Sequence, residues 1–416
     1  MKNRINNFNL LILASYLILI LGFSFNENIT SGGVDWLHVK RMIIGFADNF
    51  QNYFPVYENR HSPILYIILS FFKKAGLDFE SIRFLHFHIN LITLIFAYKC
   101  IQIKYPEIKK FNILFLSSVI IILSPSLRTT GYWPLPYPLG MLFLLISFYY
   151  CLKFLHTKSS DKEKIKYILL NIIFLALSSY ISPNFCLFSI YFAYTFLKKN
   201  NNKSTILIIL ISNFILALPA LYYIFFYNKF FIFNVSVSEG ITDSERFNII
   251  NKIAIISSII FFHLLPFVLK IDMKKFFFNL KGQIKFIIPL VLFYLLTLNN
   301  FNFMPEFGGG GFFYKLSYIL TNTDHLFLGI YFISLIFILI IINKKVNNLI
   351  LIIIFIIMNP QLSIYHRYYD PLVLLTFLLF FNHEVFNKKF LQNNMIIILL
   401  FYTLLFNLSY ILRNYI

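Results

Sequence analysis

Apolar residues in this chain run in long unbroken blocks instead of alternating with polar ones. A spanning helix needs about 20 mainly apolar residues. On that criterion spans are expected near 8–25, 82–103, 111–125, 136–155, 165–181, 184–197, 204–227, 250–269, 284–298, 326–342, 347–358, 371–382 and 394–412. The expectation is an all-α, polytopic transmembrane protein of about thirteen spans, with 1–416 as a single membrane-embedded domain. The run 63–72 is too short to span and reads as a helix lying in the interface. It belongs to 26–81, the longest non-spanning loop. Earlier in that loop, Trp36, Val39, Ile43 and Ala47 share one helical side, and Asp35, His38, Arg41 and Asp48 share the other. That pattern predicts an interfacial amphipathic helix.

Composition narrows the class. Of 416 residues, 59% are hydrophobic and 13% charged, against about 25% charged in soluble domains. A soluble globular enzyme is excluded, and the continuous apolar runs exclude disorder. An outer-membrane barrel is excluded too, because its segments are short and alternating. The net charge of +19 would suggest nucleic acid in a soluble protein. Here it sorts by side. With the N-terminus inside, 23 of the 36 basic residues and 5 of the 17 acidic ones fall on inner segments, as the positive-inside rule requires. The charge therefore reports topology, and no nucleic-acid partner is expected. The first run lacks a small-x-small cleavage site after it (GFSFNENIT) and reads as an uncleaved anchor. Cys100, Cys151 and Cys186 sit in or at the ends of apolar runs and suggest neither a disulfide framework nor a metal cluster.

Lysine dominates the cations, so arginine is informative. Seven of the eight arginines fall on the outer side: Arg41, Arg60, Arg83, Arg128, Arg246, Arg367 and Arg413. Guanidinium binds phosphate and carboxylate oxygens bidentately and stays charged when desolvated. Four outer clusters carry candidate chemistry. In the first loop, Asp35 lies in a helix's first turn, where negative charge is favoured, with His38 one turn on. Glu58, Arg60 and His61 directly precede Pro63. The segment SPSLRTTGYWPLPYP places Arg128 and Trp133 among four prolines. The outer loop 359–372 holds His366, Arg367, Tyr368, Tyr369 and Asp370 consecutively, an expensive set unless it faces water or a ligand. The run Gly308–Gly311 reads as a hinge or a place of close backbone approach. His86, His88 and His263 within spans read as interhelical hydrogen-bonders. No HExxH, GxSxG or Walker pattern occurs.

These features, in this order, resemble the GT-C superfamily of polyprenyl-phosphate-sugar-dependent glycosyltransferases. The resemblance rests on GGVDWLH (Asp35) after the first span, the Pro-led HSPILYIIL, the Gly and Arg that open the second span, SPSLRTTGYWPLPYPLGMLF after the third, and YHRYYDPLVLL near the C-terminus. It covers residues 8–155 and, more loosely, 360–382. It implies a multi-pass protein of the bacterial inner membrane, N-terminus cytoplasmic, with a periplasmic site. The donor would be a polyprenyl-phosphate sugar, the acceptor a lipid or glycan, and the surrounding partner the membrane lipid itself. Asp35 would be the general base. Arg128, Arg367 and Tyr368 would bind the donor phosphate, and His38, Glu58, Arg60, His61, Trp133 and His366 would line the substrate site. Many members carry a second acid beside the first. Trp36 and Leu37 follow Asp35 here, so no cofactor is assigned and a tightly bound divalent metal is disfavoured. Two other readings share the many spans: a glycan polymerase or ligase, whose large loop usually lies late in the chain, and a non-enzymatic lipid-linked sugar flippase, which calls for charges in mid-span.

Overall fold

The computed structural model describes residues 5–30, 32–57, 62–226, 248–305, 308–359, 361–382, 384–386 and 391–413. Glu58, Arg60, His61 and Arg246 lie outside the described residues. The chain is helical and, among the described residues, holds no strands. The helices are α1 (Ile5–Ser24), α2 (Gly32–Asp48), α3 (Phe50–Val56), α4 (Ile64–Lys74), α5 (Phe79–Lys104), α6 (Lys110–Ile121), α7 (Pro125–Tyr132), α8 (Pro136–His156), α9 (Asp161–Ile181), α10 (Phe188–Lys199) and α11 (Lys203–Phe226). They continue as α12 (Ile249–Val268), α13 (Met273–Gly282), α14 (Ile284–Asn300), α15 (Gly311–Thr321), α16 (His325–Ile342), α17 (Val346–Ile357), α18 (Leu372–Phe380) and α19 (Asn393–Arg413). Two compact units emerge, one of residues 1–236 with 400–416, the other of 237–399.

Among the described residues, eight helices are long and apolar enough to cross a membrane, or ten if each bent pair counts as one span. Thirteen spans were expected, and the remaining apolar runs take other forms among the described residues. The run at 111–125 breaks into α6 and α7, bent by 68°. The run at 184–197 holds a short 3₁₀ turn and the 12-residue α10. The runs at 347–358 and 371–382 form helices of only 12 and 9 residues. All nine residues of α18 are buried. Its hydrophobicity therefore serves the protein core, not lipid, a distinction that apolar run length does not make.

In the first unit, local signals set the helix ends. Asp78 Oδ1 accepts the Ser81 amide at 2.7 Å and caps α5. Ser124 Oγ accepts the Leu127 amide at 3.0 Å, and Pro125 fills the first helical position of α7. Gly76, at φ +95°, turns the chain between α4 and α5. The first loop is amphipathic as expected. Trp36, Val39 and Ile43 of α2 pack with Leu65, Tyr66 and Leu69 of α4, Tyr57 and Ile82. Phe46, not the half-buried Ala47, completes that stripe. Each such large side chain, fully buried, contributes about 1.5–3 kcal/mol. The other faces expose Val34, Leu37 and Ile44 on α2, and Ile68, Phe71 and Phe72 on α4. Apolar surface on both sides of a short helix suits a lipid boundary.

In the second unit, α12 packs against α15, α16, α17 and α18. The four glycines Gly308–Gly311 all have φ between +75° and +84°. A Cβ on Gly309 would fall 2.2 Å from the Ile364 carbonyl oxygen. The Gly310 amide donates to that same oxygen at 2.9 Å. Close backbone approach is thus realised within the chain itself: the glycine run seats the segment that carries Tyr365–Asp370.

Candidate functional site

The first unit's candidate site is built where α1 ends. Asn26 adopts φ +49°, its amide donates to Phe23 O at 3.0 Å, and the Glu27 amide donates to Gly22 O at 2.9 Å. This is the paired hydrogen-bond closure of a helix by a left-handed residue, a place where asparagine can stand for glycine. It fixes Glu27 directly beyond the helix. Glu27 Oε1 accepts the Arg128 Nε–H at 2.7 Å, and its backbone oxygen accepts the Trp133 indole N–H at 2.9 Å. Both partners come from the α7 region, 101 and 106 residues away in sequence.

Arg128 stands on the second turn of α7 and is 9% exposed. Its Nη2 donates to Asn407 Oδ1 at 3.1 Å. The Asn407 amide nitrogen donates in turn to Leu123 O and Thr403 O, at 2.8 and 2.7 Å. These two bonds orient the amide so that its oxygen meets the guanidinium. Burial raises the Glu27 carboxyl above its ordinary value, while the Arg128 charge and hydrogen bond pull the other way. Desolvation wins because the carboxylate is removed from water and has a single cation to repay it.

Arg83 supplies the adjoining wall. Its Nε donates to Tyr132 O at 3.0 Å, Nη1 to the Glu80 carboxylate at 2.9 Å, and Nη2 to Asn26 Oδ1 at 2.9 Å. The guanidinium lies 3.7 Å from the centre of the Trp133 ring, a cation–π contact. Trp133 is thereby a plate between Arg83 and Glu27. His86 Nδ1 bonds Gly131 O at 2.9 Å, and His88 Nε2 bonds the Tyr16 hydroxyl at 3.1 Å. Both act as the interhelical hydrogen-bonders expected.

The Gly33 amide donates to Asn28 Oδ1 at 2.9 Å at the start of α2. Gly32 packs against α7 so closely that a Cβ there would lie 3.2 Å from both Thr129 Cγ2 and Trp133 Cβ. Asp35, one turn further on, is half-buried in the first turn of α2. The structure thus brings the Asp35 turn onto the helix that carries Arg128. His38, by contrast, is exposed on the outward face of α2.

The second unit holds the remaining candidates. Arg367 is half-buried, its guanidinium 4.9 Å from the Tyr365 ring centre and 5.5 Å from that of Tyr368. His366 is buried and faces α12, its Nε2 2.9 Å from His263 Nε2. Burial first, then His263 and the Lys315 charge, push His366 well below the usual histidine range. Among the described residues no three His, Cys, Asp or Glu side chains gather as a metal site.

Glu27 and Asn407 are functional candidates that sequence reasoning missed. The available signals were an acid two residues beyond a span and a lone amide inside the last apolar run. No family model, no curated protein and no solved structure matches this chain.

Proposed function

We propose that this chain is a membrane glycosyltransferase that moves a sugar from a polyprenyl-phosphate donor to a lipid or glycan acceptor, at the periplasmic face of a bacterial inner membrane. The observation that carries the proposal is the packing of the Asp35-bearing first turn of α2 onto the α7 wall that carries Arg128. A carboxylate and a desolvated guanidinium on adjoining elements are the two groups that glycosyl transfer from a lipid phosphate needs. The ordered motif resemblance to the GT-C superfamily and the eight to ten apolar helices support the same reading.

In this mechanism the acceptor hydroxyl oxygen forms a bond to the anomeric carbon as the bond from that carbon to the phosphate oxygen breaks. The hydroxyl proton passes to the Asp35 carboxylate. The bonding pair leaves with polyprenyl phosphate, whose charge approaches about −1.5 to −2. In-line displacement inverts the anomeric configuration. Arg128 stabilises the developing charge in a water-poor site, often the largest catalytic term. General-base help from Asp35 is worth about 10²–10⁴-fold. Arg367 and Tyr368 are proposed as further donor-binding groups on the strength of the sequence pattern.

The test is Asp35→Asn in reconstituted membranes with a polyprenyl-phosphate sugar. Transfer is expected to vanish while expression and membrane insertion stay unchanged. Transfer at the wild-type rate would remove Asp35 as base.

A further inference from the structure

Arg128 already has an anion. Glu27 Oε1 sits 2.7 Å from its Nε, with side-chain exposures of 19% and 10% for the acid and the base. A guanidinium compensated in this way attracts a second anion only weakly, since the incoming charge meets a near-neutral pair. The surroundings nevertheless favour more acceptor oxygens than Glu27 provides. The same helix, α7, carries two further buried hydroxyls, those of Thr129 and Tyr132. Both residues are 0% exposed, and neither hydroxyl has a hydrogen-bond partner. Buried polar atoms without partners are uncommon and call for an explanation. Tyr132 lies near enough to Glu27 and Arg128 to feel both charges, and its hydroxyl rests against Gly22 of α1. One fixed acceptor, Asn407 Oδ1, remains on the far side of the guanidinium. A guanidinium and two unsatisfied hydroxyl donors on one helix offer more donors than the single Glu27 carboxylate uses.

We propose that Glu27 is a resident counter-anion, which holds Arg128 in the empty protein and is displaced by the phosphate of the polyprenyl lipid, as it stands in the released polyprenyl phosphate. This inference rests on the donor-phosphate reading above and adds the exchange. The charges balance when Glu27, released from Arg128, takes one proton from solvent as the phosphoryl oxygens take the guanidinium and the Thr129 and Tyr132 hydroxyls. The groups around Glu27 are few: Arg128 and Tyr132 from α7, the Trp133 N–H on its backbone oxygen, Asn407 from α19, and Arg83 of α5 on the neighbouring Asn26. Among these side chains Glu27 is the only acid. Its raised carboxyl pKa eases the proton uptake. The Schellman-type closure at Asn26 holds the backbone, so the exchange is a side-chain movement.

The sign of the pH effect follows. Binding that takes up a proton tightens as pH falls, by at most about tenfold per unit for one proton. The phosphate monoester itself loses its second charge only near pH 6, so the slope between pH 7 and 8.5 belongs to the protein. The experiment is calorimetric titration of the full chain in lipid nanodiscs with a polyprenyl phosphate, in two buffers of different ionisation enthalpy, and in parallel with inorganic phosphate. The wild type is expected to take up a measurable fraction of a proton per lipid bound, larger at pH 7 than at pH 8. Glu27→Gln is expected to bind about tenfold more tightly at pH 8, with no proton uptake and a flat profile to pH 7. Zero proton uptake by the wild type overturns the exchange, and this reading needs no variant to fold. Proton uptake with inorganic phosphate alone overturns the lipid assignment. The two proposals fail separately. If Arg128→Gln abolishes lipid binding while Glu27→Gln matches the wild type in affinity and slope, the exchange is wrong and the donor-phosphate reading stands. If Arg128→Gln binds as the wild type does, the donor-phosphate reading falls with it.

Discussion

The two units treat arginine in opposite ways. Arg128 and Arg83 in the first unit are buried and bonded to groups that arrive from far along the chain: Glu27, Asn407, Asn26 and the Tyr132 carbonyl. Arg367 in the second is half-buried and lies over Tyr365 and Tyr368 of its own turn. That turn is in turn seated on the Gly308–Gly311 backbone. A buried guanidinium with fixed partners combines a structural role with a strong local field. The cation–π contacts that Arg367 makes with its local tyrosines contribute about 0.5–1 kcal/mol at exposed sites. The same residue type in the same kind of outer-loop motif therefore predicts different sensitivities to substitution.

Substitutions at four positions would break or sharpen that contrast. Arg128→Ala should have the largest effect. Loss of one donor to developing charge typically costs about 2.7–4 kcal/mol, or 10²–10³ in rate, and single-turnover transfer from a polyprenyl-phosphate sugar measures it. A rate within threefold of wild type would detach Arg128 from the chemistry. Gly309→Ala comes next. Its φ of +84° strains any L residue by about 1–3 kcal/mol, and the Ile364 carbonyl must also move. Thermal melting followed by size-exclusion fluorescence should show a clear drop. An unchanged melt would mean that the glycine run is not a fixed seat. Arg83→Ala should lower the same melting temperature by an amount corresponding to about 1–3 kcal/mol, the cost of leaving buried acceptors unsatisfied. Arg83→Lys should recover part of it, as Lys lacks the planar fork. Arg367→Ala, at a half-buried site, should move the melt less than Arg83→Ala does, while raising the donor KM. A large fall in melting temperature instead would show that Arg367 is structural like the other two.

Much of the first loop could be read directly from residue order. Trp36, Val39 and Ile43 mark the inner face of α2, Pro63 precedes α4, and Asp78 caps α5, each through a local rule. Asp35 was legible for the same reason, as an acid in a first turn. The Ser124-Pro125 pair marks α7 just as plainly, yet the segment after the expected 111–125 span read as an outer loop and forms a helix. Length was misread at α18, where hydrophobicity came from core burial: its nine buried residues resemble a span in composition alone. Glu27 stayed hidden because its meaning comes from partners: Arg128 is 101 residues away, and Asn407 lies 279 residues beyond Arg128. His366 was legible as polar and costly. Its actual partner, His263, is 103 residues distant and turns it into the protein interior.

The central claim is that the wall formed by α7 and the end of α1 receives the donor phosphate. Photolabelling tests it most directly: a polyprenyl phosphate bearing a photoreactive group next to its phosphate is irradiated with the full chain in nanodiscs, and the modified peptides are mapped by mass spectrometry. The account predicts labelling concentrated on peptides spanning 22–36 and 124–137, suppressed by excess unlabelled polyprenyl phosphate and by Arg128→Gln. Competable labelling confined to other peptides, unaffected by Arg128→Gln, would contradict it.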